Sequence, residues 1–162
     1  IQHLWRAAPE TRLIVLVRNP VDRFISTYDR FNRVRMGYLG LEGDRAYVQR
    51  IYSFWCEAVT HCKIADGVRA VQRRWDRSAV LVLQYEKCVA DPAGELARTF
   101  RFLGVDHTVV PADLARPVNR ETHAIEPPDA AARQRLVELF CDDVAAVRSM
   151  WPEIDLALWP EF

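Results

Sequence analysis

The protein has 162 residues, with 22 basic and 22 acidic side chains, 50% hydrophobic residues and only 6 Gly. This composition is typical of one globular domain and excludes a disordered chain. The longest apolar run, Leu13 to Val17, is too short to cross a bilayer, so no membrane segment is predicted. Zero net charge argues against a general nucleic-acid binder, so any anion site must be local.

The first strand and helix are predicted close to the start of the chain. Residues Ile1 to Ala8 form a short amphipathic stretch, and the apolar run from Arg12 to Arg18 predicts a buried strand of a parallel sheet. Asn19 and Pro20 then predict a helix start, because Asn is a favoured N-cap and Pro suits the first helical position. This helix is expected to run to about Arg35.

The middle of the chain predicts a helical region followed by a second strand. Asp44 could cap a second helix, and further helix, interrupted near Asp66-Gly67, is expected to continue to about Trp75. Residues Ala79 to Tyr85 form the second apolar strand.

The last part of the chain predicts two more helices with a loop between them. Asp91-Pro92 repeats the cap-plus-proline start, and Gly104 is the expected stop of that helix. Four prolines and weak periodicity from Val105 to Pro128 indicate a loop. A final helix is expected from Asp129 to about Met150.

Alternation of strands and helices predicts an α/β fold with a three-layer arrangement, in which a parallel sheet is flanked by helices. The whole chain, 1–162, is interpreted as a single domain. Two strands make a thin sheet, and the chain opens at Ile1 rather than Met, so we expect it to be the C-terminal part of a longer domain. No signal peptide is seen, so a cytoplasmic location is expected.

The cysteines and arginines bear on possible ligands. The four cysteines form no Cys-x-x-Cys pair and stand at no zinc-finger spacing from a histidine, so no metal site is predicted. We expect them to be reduced core residues: Cys56, Cys62, Cys88 and Cys141. Arginine supplies 20 of the 22 basic residues, so an anion site would rest on planar guanidinium groups.

A candidate site follows from the two strand ends. Arg18 ends the first strand and Tyr85-Glu86 ends the second, and the carboxyl ends of parallel strands meet at one edge, where ligands bind in such folds. Ser26 shares a helix face with arginines, so a helix start, an Arg and a hydroxyl could together hold a phosphate. From pattern alone, a solvated polar face explains the same residues.

The amino-acid sequences of the two strand-to-helix turns resemble segments of a known protein family. The segment Arg18-Asn-Pro-Val-Asp22, with Ser26 eight residues after the Arg, closely resembles the 3′-phosphate-binding segment of sulfotransferases that use 3′-phosphoadenosine 5′-phosphosulfate (PAPS). The strand ending in Tyr85-Glu86, and the helix from Asp91-Pro92 to Phe102-Leu-Gly104, are similar to a later part of the same family. The resemblance covers nearly the whole chain and implies the P-loop nucleotide-hydrolase-like fold of sulfotransferases.

The resemblance also implies roles for particular residues. Arg18 and Ser26 would bind the 3′-phosphate of the nucleotide, and Tyr85 would contact its adenine side. Arg120 stands where family members often have a basic loop that closes over the nucleotide, although a surface arginine in a loop is the preferred interpretation. Glu86 matches the motif too, but we interpret it as a structural residue that braces a neighbouring loop.

The implied activity is transfer of a sulfuryl group from PAPS, as co-substrate and without a metal, to a hydroxyl or amine of a small-molecule or glycan acceptor. The family's lysine-bearing sulfate-side loop does not occur in this sequence, and no catalytic residue is assigned. A P-loop kinase-like phosphotransferase is the alternative enzyme, but it needs a Walker lysine that is not found. A non-catalytic nucleotide-binding or interaction domain of the same fold also stays open. The oligomeric state is not indicated.

Overall fold

Helices alternate with two strands in the computed structural model, which describes residues 2–31, 59–114, 116 and 129–162. Residues 59–62 are also helical, and short 3-10 turns lie at Arg77–Ala79 and Leu156–Leu158. The elements in chain order are α1 (Gln2–Ala7), β1 (Leu13–Val17), α2 (Pro20–Phe31), α3 (Ala65–Gln72), β2 (Val80–Gln84), α4 (Tyr85–Ala90), α5 (Pro92–Leu103) and α6 (Ala130–Met150).

The two strands pair in parallel, as their helix-sized connection predicts. The register runs from Leu13 opposite Val80 to Val17 opposite Gln84. Both strands therefore end at the same edge of the sheet, and the residues that follow them are brought side by side. The prediction that the two strand ends form one edge is confirmed.

Two local signals set the start of α2. The side-chain oxygen of Asn19 accepts hydrogen bonds from the backbone N–H groups of Val21, at 2.9 Å, and Asp22, at 3.4 Å. Pro20 occupies the first helical position, where its missing N–H costs nothing. The predicted cap is confirmed, and the chain passes from the end of β1 into α2 through only two residues, Arg18 and Asn19.

The predicted ends of α5 and the start of α6 are also confirmed. Asp91 accepts a hydrogen bond from the backbone N–H of Gly94, and Gly104 ends α5 with a φ of 77°, a left-handed conformation that glycine adopts without strain. Asp129 caps α6 through the backbone N–H of Ala132.

The predicted interruption near Asp66-Gly67 is wrong. Helix α3 runs through both residues, and the break lies at residues 63–64 instead. The reason is a cap from a distant part of the chain: the carboxylate of Asp143, on α6, accepts the backbone N–H groups of Ile64, at 2.7 Å, and Ala65, at 3.1 Å. A helix start that is capped across the fold leaves no signal in its own segment.

Helix α4 is absent from the expectations drawn from the sequence. The second strand was expected to include Tyr85, but β2 ends at Gln84 and Tyr85 begins α4. Gln84 makes no side-chain hydrogen bond as a cap, and it is followed by neither a proline nor a glycine. Of the usual start signals, this helix carries only an acidic residue in its first turn, Glu86.

Burial of the two strands differs from the expectation. In β2, Val80, Leu81, Val82 and Gln84 are buried, as predicted for a strand covered on both faces. In β1 covered and exposed residues alternate: Val17 is buried, whereas Ile14 is 43% exposed and Leu16 is 54% exposed. The expected full burial of the first strand is wrong, since Ile14 and Leu16 lie on a face that the described residues leave exposed.

The covered face of the sheet packs on α3, α6 and the C-terminal segment. Trp75, Trp151 and Trp159 lie in this core beside Val17 and Val82. A second cluster joins α2 to α6 and includes Val21, Phe24, Cys62, Leu136 and Phe140. Helices α4 and α5 also pack against β2. The α/β class predicted from the sequence is confirmed.

The expectation that the cysteines are core residues is confirmed for only some of them. Cys62 is buried and Cys88 is half-buried, but Cys141 is exposed on α6. Burial raises the pKa of the Cys62 thiol above its ordinary value, although Arg23 acts in the opposite direction. Cys56 lies outside the described residues.

Three further predictions fall wholly or partly outside the described residues. They are the last turn of the first helix to Arg35, the helix capped by Asp44, and most of the loop from Val105 to Pro128. The described part of that loop, residues 105–114, contains neither helix nor strand.

Candidate functional site

Arg18 and Tyr85 meet at the carboxyl edge of the sheet. Each residue directly follows its strand, and Val17 lies opposite Gln84 in the register. The central carbon of the Arg18 guanidinium lies 4.7 Å from the centroid of the Tyr85 ring, which is a cation–π contact. The structure therefore brings together two of the four residues predicted to form the site.

The guanidinium of Arg18 keeps its hydrogen-bonding capacity. The residue is half-buried, and its recorded interaction is the contact with the ring of Tyr85. Within the described ranges no carboxylate pairs with it, in contrast to Arg69, Arg77, Arg98 and Arg133. Arginine carries five N–H donors and no acceptor, so this group is suited to bind an anion at the edge of the sheet.

Tyr85 presents a surface that a ligand could reach. The side chain is 40% exposed, although Arg18 lies over its ring. The residue stands at the first position of α4, directly beyond the end of β2. An exposed aromatic ring beside a cation can stack on a planar ligand group, such as a nucleobase.

Ser26 lies on the exposed side of α2, six residues after Pro20 and therefore about 9 Å along the helix axis from its start. No hydrogen bond to its hydroxyl is found in the described part of the chain, whereas the neighbouring Thr27 donates to the backbone carbonyl of Arg23. Arg120 lies outside the described residues, so its place at the site stays a prediction.

Glu86 braces the turn that carries Arg18, as predicted. One oxygen of its carboxylate, Oε1, accepts the backbone N–H of Asn19 at 2.9 Å. This bond ties the start of α4 to the residue between β1 and α2. The other oxygen, Oε2, is buried and has no hydrogen-bond partner within the described ranges.

A second brace on the same turn was missed by reasoning from the sequence. The side-chain nitrogen of Asn19 donates to Glu161 at 3.0 Å, and the two residues are 142 positions apart in the chain. Glu161 also accepts two hydrogen bonds from Arg133, whose guanidinium donates in addition to Asp22 at 2.8 Å. These contacts form a network that links the C-terminal segment, α6 and the first turn of α2.

The network shifts the pKa of its carboxylate. Partial burial pushes the pKa of Glu161 upward, but the hydrogen bonds from Arg133 and Asn19 outweigh burial, so the pKa lies below its ordinary value. For Arg133, burial acts downward and the bonds to Glu161 and Asp22 act more strongly upward, so its pKa is raised. Both groups are therefore charged at neutral pH. Only the predicted cap role of Asn19 could have drawn attention to this network from the sequence.

The described residues contain neither a metal cluster nor a membrane-spanning helix. Within 2–31, 59–114, 116 and 129–162, no group of three or more His, Cys, Asp or Glu side chains is placed to hold a metal ion. No helix of the described part is long and apolar enough to span a membrane. A cavity of about 240 Å³ lies beside β2, but its arginine and its lysine are already engaged with Glu95 and the carbonyl of Glu153.

Comparison with known proteins defines the class. The family model for the sulfotransferase domain matches residues 3–122, which include the Arg18 turn, Ser26, Tyr85 and Arg120. The chain therefore belongs to the sulfotransferase domain family, and the resemblance carried by its two strand-to-helix turns is confirmed.

Individual relatives agree with this assignment. Over 107 residues the chain is 36% identical to heparan sulfate glucosamine 3-O-sulfotransferase 6 of Mus musculus and of Homo sapiens. Each match covers 63% of this chain and 30% of the relative, so the similarity spans less than a third of these proteins.

A solved structure shows the same fold. The chain is similar to a sulfotransferase from Alicyclobacillus acidocaldarius with a TM-score of 0.72 and 23% sequence identity. The match covers 98% of this chain and 61% of that chain.

Proposed function

We propose that the protein transfers a sulfuryl group from PAPS to a hydroxyl or amine acceptor, and that this chain supplies the anchor for the nucleotide. The observation that carries the proposal is the contact of Arg18 with Tyr85 at the carboxyl edge of the sheet, in a segment matched by the sulfotransferase family. Family membership favours sulfuryl transfer over the kinase-like phosphotransferase and over a non-catalytic binding domain.

The chemistry of the residues fits the nucleotide. A 3′-phosphate is a compact anion, and the half-buried guanidinium of Arg18 offers paired N–H donors with no competing carboxylate in the described part of the chain. The hydroxyl of Ser26 adds a neutral donor on the neighbouring helix. Tyr85 offers an exposed aromatic surface on the adenine side. Arg120 is proposed to close over the nucleotide from its loop.

The residues of this chain act by binding and orientation. When bound, PAPS supplies the activated sulfuryl group, which passes to the acceptor oxygen or nitrogen while adenosine 3′,5′-bisphosphate leaves. Arg18 and Ser26 hold the 3′ end, which is remote from the bond that breaks, so their binding energy serves to align the reacting groups. No residue of this chain is assigned to deprotonate the acceptor or to stabilise the leaving oxygen.

For the acceptor we propose a hydroxyl group of a glycan. The names of the mouse and human relatives support this class, since both describe sulfation of a glucosamine in heparan sulfate. A small-molecule acceptor is the second candidate, and a panel that contains both acceptor classes separates the two.

A transfer assay with the complete protein tests the proposal. Labelled PAPS is offered with a panel of glycan and small-molecule acceptors, in the presence of a strong chelator, and ATP with magnesium is offered in parallel. We expect sulfated product from PAPS with the chelator present. Product formed with ATP but not with PAPS, or turnover that requires added magnesium, would instead support the phosphotransferase. Binding of nucleotide without any transfer would support the non-catalytic domain.

A further inference from the structure

The side chain of Asn19 is engaged at both ends, and it stands between Arg18 and α2. The residue is 2% exposed. Its oxygen caps α2 through the N–H groups of Val21 and Asp22, and its nitrogen donates to Glu161. The two N–H groups of α2 require the amide oxygen on the helix side, and Glu161 holds the amide nitrogen on the other side. Glu161 therefore reinforces the capping orientation of Asn19.

Glu161 is itself held from two directions. Arg133 donates to it through Nε, at 2.9 Å, and through Nη2. The C-terminal segment around Glu161 is anchored in the core, because Trp159 is fully buried and Phe162 packs against both hydrophobic clusters. A carboxylate at the second-last position of the sequence is thus presented at a fixed place beside the turn.

Arg133 also makes a direct contact with α2. Its Nη2 donates to Asp22, in the first turn of that helix, at 2.8 Å. This guanidinium lies between the carboxylates of Asp22 and Glu161 and partly offsets their charge. If Arg133 were absent, the carboxylates of Asp22 and Glu161 would lose its compensating charge, and since both contact or belong to the segment that follows Arg18, they would weaken binding of an anion there.

From these contacts we propose that Glu161 and Arg133 are positioning residues for the proposed 3′-phosphate site. They hold the two-residue turn that carries Arg18, with Glu161 acting through Asn19 and Arg133 acting through Glu161 and Asp22. The inference rests on the proposed function, because it names the residues that fix that same site. Glu86, on α4, accepts the backbone N–H of Asn19, and Glu161, in the C-terminal segment, accepts from the Asn19 side chain.

The test is the preference of the complete protein for adenosine 3′,5′-bisphosphate over adenosine 5′-phosphate, measured by titration calorimetry well below the melting temperature. A ratio of two affinities separates positioning of the 3′ site from a general loss of folded protein, which lowers both affinities alike. If the turn of Glu161→Ala adopts the binding geometry about a tenth of the time, the ratio falls about tenfold.

Conservative variants sharpen the comparison. Glu161→Gln keeps an oxygen that can accept from Asn19, so we expect it to retain the ratio to within about threefold. Arg133→Ala should lower the ratio more than Glu161→Gln does, because it leaves the carboxylates unpaired. The matched control is Glu153→Ala, which breaks another arginine–carboxylate pair of the C-terminal segment, with Arg77, and should leave the ratio unchanged.

The outcomes distinguish failure of the proposed site from failure of this inference alone. A wild-type protein without preference for the bisphosphate overturns the proposed site and this inference together. A wild-type preference that survives both Glu161→Ala and Arg133→Ala overturns the inference alone. A loss in Glu161→Gln as large as in Glu161→Ala also overturns it, as does an equal loss in Glu153→Ala. Should Glu161→Ala not fold, an unchanged ratio in Arg133→Ala by itself overturns it.

Discussion

Replacing Arg18 with alanine tests the centre of the site. The guanidinium lies over the ring of Tyr85, and within the described residues no carboxylate pairs with it. Its removal therefore leaves no buried partner charge behind, so the effect on nucleotide binding is not confused with an unpaired carboxylate in the protein.

The expected magnitude follows from the hydrogen bonds that are lost. A charge-assisted hydrogen bond contributes roughly 1.5 to 3 kcal/mol, and each 1.4 kcal/mol changes an affinity about tenfold. Since Arg18 is only half-buried, partial solvation reduces this contribution. The wild type should therefore prefer adenosine 3′,5′-bisphosphate to adenosine 5′-phosphate by roughly tenfold to a few hundredfold. Arg18→Ala should remove most of that preference, and Ser26→Ala a smaller part.

The assay is calorimetric titration of both nucleotides into the wild type and the variants of the complete protein. Arg12→Ala is a matched control from the opposite end of β1. The guanidinium of Arg12 lies 5.8 Å from the ring centroid of Phe102 and donates to the carbonyl of that residue. Its loss should affect stability while leaving the preference for the bisphosphate intact.

Two results would refute the reasoning. Equal affinity of the wild type for the two nucleotides would show that no 3′-phosphate site lies at this turn. A preference that persists in Arg18→Ala would show that the phosphate is bound elsewhere, whatever the total affinity does.

Two predictions concern stability. Asp143→Ala removes the cap of α3 and should lower the unfolding free energy by about 0.5–2 kcal/mol. In urea unfolding this appears as a lower midpoint with an unchanged slope. The neighbouring Asp142→Ala should have little effect, and equal midpoints for the two variants would contradict the capping role. The pKa of Glu161 is lowered on folding, so its ionised form contributes stability above the ordinary carboxyl range, and this contribution is lost as the pH falls through the lowered pKa. Glu161→Gln should therefore be less stable than the wild type at neutral pH, with the difference shrinking toward acid pH in thermal melts; a difference that is constant with pH would contradict the linkage.

The sequence alone determined the features that rest on local chemistry. Asn19-Pro20 and Asp91-Pro92 start helices because a capping side chain and a fixed proline φ act within one turn, and Gly104 ends a helix because it adopts a positive φ. The sequence also predicted that Arg18 and Tyr85 lie at the same edge of the sheet, since parallel strands end at a common edge, whereas their direct contact depends on the pairing of β1 with β2.

Only the tertiary structure decided the features that depend on distant partners. The start of α3 is set by Asp143, and the turn carrying Arg18 is held by Glu161, 142 residues from Asn19. Exposure of Ile14 and Leu16 depends on what covers β1, which an apolar run does not specify. Helix α4 begins without a cap, directly after a strand. For α3 and for the Arg18 turn, the deciding contact is a hydrogen bond between segments far apart in the chain, so the local pattern of residues carries no record of it.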